Sequence, residues 1–257
     1  LDIALQLGLV LLIISLINAF ALQLVQYVLF LEGHEFGTEE PLDLPIEPFT
    51  VNWDDLHVLK DGKLIVDSCN IKLSGNEIVA LMGESGSGKS TLLRAMCGLE
   101  VNTNSNLKDI AYVSQNPVLV MDTVAMELGL PSRLHEDLPN AGLFFGSICS
   151  FEKKGNQRTE SLSGGEIQRL AFLRALAMGR KILILDEITS ELDGRSIERI
   201  EEEILKFKNR GGSVFLATHN PQQAERLADR VMYIHDGKFI DENHEIAKDI
   251  RSGLRIG

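Results

Sequence analysis

The chain has 257 residues, 44% of them hydrophobic, which is enough for a buried core and excludes an intrinsically disordered chain. Its formal net charge of −12 repels phosphate backbones, so no nucleic-acid partner is expected, and any polyphosphate ligand must be held by a local site. Cys69, Cys97 and Cys149 are widely spaced with no CxxC pair, which argues against zinc or a redox centre and for reduced, buried thiols in a cytosolic domain.

The first element expected is a helix. From Ile3 to Leu31 there is no Asp, Glu, Lys, Arg or His. As a helix this run would be roughly 43 Å long, enough to span a hydrocarbon core of about 30 Å with some tilt. Ser15, Asn18, Gln23 and Gln26 fall on one side of it, a stripe that in lipid would seek neighbouring helices. Residues 1–31 are therefore expected to form a transmembrane helix, with a core helix of a soluble domain as the alternative. The acidic flank (Glu32, Glu35, Glu39, Glu40, Asp43) lacks the Lys and Arg usual on a cytoplasmic side, but acidic residues have little influence on orientation. The chain begins on Leu1 rather than Met, which leaves open a longer parent sequence. Pro41, Pro45 and Pro48 punctuate an acidic linker over 32–48.

From 49 to 245 short β-rich runs alternate with amphipathic helices. Ile78–Met82, Ile110–Ser114, Ile182–Leu185 and Ser213–Thr218 are almost wholly apolar, as strands of a parallel sheet covered on both faces should be. After Asp193, the residues Ile197, Ile200, Ile204 and Phe207 recur at helical spacing and stop at Gly211-Gly212. The expected fold class is α/β with a parallel sheet, and residues 246–257 are expected to be a C-terminal tail.

Directly after the first apolar run comes Gly83-Glu84-Ser85-Gly86-Ser87-Gly88-Lys89-Ser90-Thr91, the GxxxxGKS pattern of a P-loop, between a buried strand and an apolar helix. Glycines let successive N–H groups point inward at phosphate oxygens, and the helix N-terminus adds partial positive charge. Lys89 is expected at the β- and γ-phosphates and Ser90 on Mg²⁺.

The run Lys181–Leu185 ends in two carboxylates, Asp186 and Glu187. In a parallel sheet ligands collect at the carboxyl ends of strands, which puts both acids beside the P-loop. Asp186 is expected to support Mg²⁺, leaving Glu187 to polarise the attacking water.

Leu162-Ser163-Gly164-Gly165-Glu166, followed by Ile-Gln-Arg, resembles the signature sequence of the ATP-binding cassette family, with Glu166 where Gln is common. Read from the residues alone, Ser163 and Glu166 make a capping box that opens a helix over Ile167–Met178. The resemblance implies that Ser163, Gly164 and Gly165 contact the γ-phosphate of ATP bound to the opposite subunit. It further implies that Gln115 contacts Mg²⁺ and the transport partner, and that His219 contacts the γ-phosphate. Ser190–Asp193 is similar to the family's D-loop, with Glu191 where a small residue is usual. Asn116–Val124 is similar to small bacterial cassettes paired with a separate permease, among them an iron-export type.

The resemblance covers roughly residues 50–240 and implies a P-loop core, an antiparallel β-subdomain, and a helical subdomain at about 117–165. The short interval from Lys89 to Gln115 implies that the antiparallel part is trimmed. The aromatic that normally stacks on adenine is not obvious upstream of the P-loop; His57 is the nearest candidate, while Val58 and Lys60 would not stack. The implied function is an ATP-hydrolysing subunit, with ATP and Mg²⁺ as ligands, energising a membrane transporter. Two cassettes, a homodimer, would sandwich two ATP on the cytoplasmic side of the cell membrane beside a permease. The alternative is a soluble cassette ATPase acting on DNA or ribosomes. The absence of a long coiled coil, the single cassette, and the acidic charge count against it.

Overall fold

The computed structural model describes residues 45–100, 107–134, 151 and 154–253. The expected apolar helix, 1–31, lies outside the described residues, as does Cys149. Among the described residues no helix is long and apolar enough to cross a membrane.

Two strands open the described chain, β1 (Thr50–Lys60) and β2 (Lys63–Ser74), paired antiparallel with Lys60 opposite Lys63. That register leaves a two-residue turn, Asp61-Gly62, both at positive φ (51° and 75°), the backbone that fits the twist of a hairpin. The pairing slips between Trp53 and Leu56 and again between Leu56 and Val58. Asp55 and Ser68 adopt left-handed backbones there, at φ 53° and 56°. Despite the slips, Trp53, Leu56, Val58, Val66, Cys69, Ile71 and Leu73 all turn inward. The antiparallel part is thus a two-stranded ribbon among the described residues. Trp53 donates from Nε1 to the Met96 carbonyl at 3.0 Å, tying the ribbon to the first helix.

The apolar runs become the sheet. Its strands are β3 (Ile78–Met82), β4 (Ile110–Val113), β5 (Ile182–Asp186), β6 (Ser213–Ala217), β7 (Arg230–His235) and β8 (Lys238–Ile240), in the order β4-β5-β6-β3-β7-β8. All neighbours are parallel except β7 and β8. Every residue of β3, β5 and β6 is buried, which is why these runs carry no alternation in the sequence.

The helices are α1 (Lys89–Met96), α2 (Val124–Leu134), α3 (Gly164–Ala177), α4 (Gly194–Asn209), α5 (Pro221–Leu227) and α6 (Glu245–Ser252). On α4, Ile200, Ile204 and Phe207 are buried and Asp193 caps the start by accepting from the Ser196 N–H. Gly212 is required at its end: a Cβ there would lie 2.4 Å from the Phe207 ring. The stretch from 246, expected as a tail, is instead most of α6, whose Ala247 and Ile250 pack against Ala80, Met82 and Tyr233. Two buried apolar positions three apart on a helix make a docked face, and so brief a pattern carries little signal in sequence.

Cys69 and Cys97 are buried, and burial pushes their thiols up to about 11 and about 12, so neither is a nucleophile near neutral pH.

Candidate functional site

Four loops at the carboxyl ends of the parallel strands converge on one cavity of about 280 Å³. Its walls include Ser85, Gly86, Gly88, Lys89, Ser90 and Thr91 after β3, Gln115 after β4, Glu187 after β5 and His219 after β6.

The loop after β3 owes its shape to its glycines. A Cβ on Gly83 would fall 2.5 Å from the Ile234 carbonyl oxygen and 2.6 Å from Ser87 Oγ, so no larger residue fits. Gly86 and Gly88 stand at φ 81° and 105°, where side chains are strained, and Gly88 caps α1. Lys89 is 6% exposed, and its ammonium donates to the carbonyls of Gly83 and Glu84, both at 2.9 Å. The same ammonium lies 3.6 Å from Glu187 Oε1.

On the far side of the cavity, Glu187 Oε2 is 3.1 Å from His219 Nδ1, so one carboxylate links the P-loop cation to the histidine beyond β6. Asp186 is 2% exposed. Burial raises its carboxyl above the ordinary range, opposed by hydrogen bonds from Ser90 and Tyr112. Tyr112 donates to Oδ2 at 3.3 Å, whereas Oδ1 is buried with no hydrogen-bond partner. A buried carboxylate oxygen left without a donor, on an acid that the Ser90 hydroxyl also meets, is what a divalent cation requires of its ligands. The residues present fit Mg²⁺.

The signature segment is built differently. Ser163 caps α3: Glu166 N–H points to Ser163 Oγ at 3.4 Å, and Glu166 Oε2 accepts from the Ser163 N–H at 2.9 Å. The capping box expected from the sequence is therefore present, and the helix begins at Gly164. Lys154 pairs with the Glu166 carboxylate and, with the Ser163 N–H, holds it down at about 2. Gly164 and Gly165 face Glu191 and Leu192; a Cβ on Gly164 would lie 3.0 Å from Glu191 Oε2, and one on Gly165 3.2 Å from Leu192 Cδ2. None of Ser163, Gly164 or Gly165 lines the cavity. Gln168, on α3, donates to the Gln115 carbonyl at 3.1 Å and so links the two regions.

His57 does not line the cavity. It is held on the ribbon by Asp55 Oδ1, at 2.9 Å, and by the Ser68 N–H. Ile65 of β2 lines the cavity instead, and nothing in its local sequence pattern singles it out. Two further features went unread. Tyr112 is the single hydroxyl in the apolar run of β4, a signal that could have been used. Glu127, fully buried on α2, pairs with Arg174 of α3 and accepts from the N–H groups of Val120 and Met121.

A glycine loop closing on a buried lysine after β3, two acids at the end of β5 and a capped helix apart from them define a P-loop nucleoside triphosphatase. A profile of the ABC transporter family matches residues 66–190. The chain is 34% identical to the phosphate import ATP-binding protein PstB 2 of Natronomonas pharaonis over 213 residues, 70% of this chain and 75% of that one. It is 35% identical to the aliphatic sulfonates import ATP-binding protein SsuB 1 of Pseudomonas syringae pv. tomato over 190 residues, 69% and 67% of the two chains. Its fold matches a dimeric ATP-binding cassette in a post-hydrolysis state bound to ADP and Pi, with TM-score 0.66, 25% identity and coverage of 75% and 97%. The chain belongs to the ABC transporter family and is an ATP hydrolase.

Proposed function

We propose that this chain is the ATP-hydrolysing subunit of a membrane transporter, working at the cytoplasmic face as a pair of cassettes that enclose two ATP beside a permease. The observation that carries the reading is the separation of the signature from the cavity: Ser163, Gly164 and Gly165 are presented elsewhere, so the triphosphate site is completed by a second chain.

In this reading Gly83–Thr91 cradle the phosphates through backbone N–H groups, and Lys89 exchanges its carbonyl partners for the β- and γ-phosphates. Ser90, Asp186 and Gln115 would hold Mg²⁺, which when bound would offset the charge on the phosphates. Glu187 orients the attacking water and accepts its proton. His219 steadies the Glu187 carboxylate from one side and reaches the γ-phosphate from the other. Ser163, Gly164 and Gly165 supply N-terminal N–H groups of α3 to the partner's nucleotide. Relatives named for phosphate import, aliphatic sulfonate import and spermidine/putrescine import share this cassette and differ in cargo. That pattern supports a motor whose cargo is chosen by the permease.

The test mixes two inactive chains, Lys89→Ala and Ser163→Arg. Each mixed dimer has one composite site with both defects and one with neither. At equal mixing about a quarter of the wild-type ATPase rate is expected, because half the dimers are mixed and each keeps one sound site of two. No recovery at any ratio, with mixed dimers shown to form, would overturn the shared-site reading.

A further inference from the structure

We propose that Gln223 is a positioning residue for hydrolysis: by clasping Thr189 it holds together the two loops that carry Glu187 and His219. The proposal rests on the roles given to Glu187 and His219 above. Those two side chains ride on different loops, Glu187 after β5 and His219 after β6, and meet at 3.1 Å. That contact cannot fix the loops by itself, because the His219 side chain is 62% exposed and an exposed pair of this kind contributes little. Behind them the loops are tied by the parallel ladder, where Asp186 pairs with Ala217 and the Glu187 N–H donates to the Ala217 carbonyl. A second tie, made by side chains, lies ahead of them.

Thr189 follows Glu187 by two residues, and Gln223 follows His219 by four. The Gln223 amide nitrogen donates to Thr189 Oγ1 at 3.0 Å, and Oγ1 in turn reaches Gln223 Oε1 at 3.3 Å. Gln223 is 2% exposed, so water does not stand in readily for a lost partner. On one side of the clasp the Ser190 N–H donates to the Glu187 carbonyl at 3.2 Å, which closes Glu187–Ser190 into a turn. On the other, Asn220 sits next to His219 and caps α5, its Oδ1 accepting from the N–H groups of Gln222 and Gln223. Each clasping residue is thus one hydrogen-bonded turn away from the side chain it positions.

Gln223 is itself held from a third element. Its amide nitrogen also donates to Oε1 of Glu201, a buried acid on α4, at 3.1 Å. Arg226 completes that carboxylate as a bidentate partner, at 3.1 Å to Oε2 and 2.7 Å to Oε1. An amide suits this place because it donates to Thr189 and Glu201 while accepting from the Thr189 hydroxyl. A glutamate would set a second carboxylate against Glu201, and a leucine would leave both neighbours short of a partner.

The experiment measures ATPase turnover and ATP affinity of the full chain, with Mg²⁺ present. Thr189→Val keeps the outline of the side chain and removes its hydroxyl. Turnover should fall by about tenfold or more while affinity stays within about twofold, because the phosphate loop is untouched. Thr189→Ser restores the hydroxyl and should turn over within about threefold of the wild type. Gln223→Leu should repeat the loss, and the double variant with Thr189→Val should be no slower than the slower single one. In a Glu187→Gln background Thr189→Val should cost nothing more, since the clasp acts through Glu187. Wild-type turnover in Thr189→Val, equal losses in Thr189→Ser and Thr189→Val, or a loss that adds fully to that of Glu187→Gln would each overturn the proposal. Wild-type turnover in Glu187→Gln alone would instead overturn the hydrolytic reading on which it rests, and that variant is scored separately.

Discussion

Lys89 and Ser163 are both assigned to phosphate, yet their settings differ. Lys89 is sealed under its own loop, with two carbonyls and a carboxylate within reach, and its neighbours Glu187 and Asp186 are likewise buried or nearly so. Ser163 is exposed, and its hydroxyl and N–H are already satisfied by Glu166. The first region is closed on groups that a triphosphate must displace; the second is a self-satisfied surface turned outward. In the proposed reading, a group that works within its own chain is held by competing partners, whereas a group offered to another chain is held by partners that need not let go.

The sharpest way to break this comparison is at Glu187. If it orients the attacking water, Glu187→Gln should bind ATP as tightly as the wild type but turn over roughly a thousandfold more slowly. Turnover within tenfold of wild type, measured with affinity in the same preparation, would remove Glu187 from the role of base.

The outward region is anchored by the pair of Glu127 and Arg174. Arg174→Met leaves Glu127 fully buried without its cation, and breaking such a pair costs about 3 kcal/mol or more. Urea denaturation should show that loss, with much of it recovered in the double variant that also carries Glu127→Gln. An unchanged midpoint would mean that α2 does not hold α3 in place.

The smallest effect is expected at the cap. Because Lys154 and the Ser163 N–H depress the Glu166 carboxyl to about 2, this group adds stability that is present above about pH 4.5, its ordinary value, and is lost as pH falls toward 2. Glu166→Gln should therefore cost about 1 kcal/mol near neutral pH and nothing near pH 2, followed by circular dichroism across an acid titration. A difference that does not narrow with falling pH would show that the charge of Glu166 plays no part.

Much of this was legible in the residues. Buried parallel strands show as unbroken apolar runs because both faces are covered, so β3, β4, β5 and β6 came out within one residue at each end. The P-loop and the capping box are local in sequence, so their geometry follows from spacing. The ribbon was harder. Left-handed residues at Asp55 and Ser68 break the two-residue alternation that marks a strand, so that Trp53, Leu56 and Val58 turn inward without regular spacing. Ile65 reaches the cavity through that irregular register, and the union of Glu127 with Arg174 joins residues far apart in the chain. Contacts of that kind are products of the fold, with no local pattern to announce them.

Glu187 has one further peculiarity: its backbone is left-handed, with φ at 49°, and its N–H donates to the Ala217 carbonyl at 3.0 Å. A residue with a Cβ is strained there by about 1 kcal/mol, and glycine would not be. Selection for robustness alone would thus favour Glu187→Gly, which should unfold at higher urea concentration while losing ATPase activity. In the proposed reading the protein keeps its hydrolytic carboxylate where the chain resists it, so a screen for the sturdiest variants would tend to discard the ATPase.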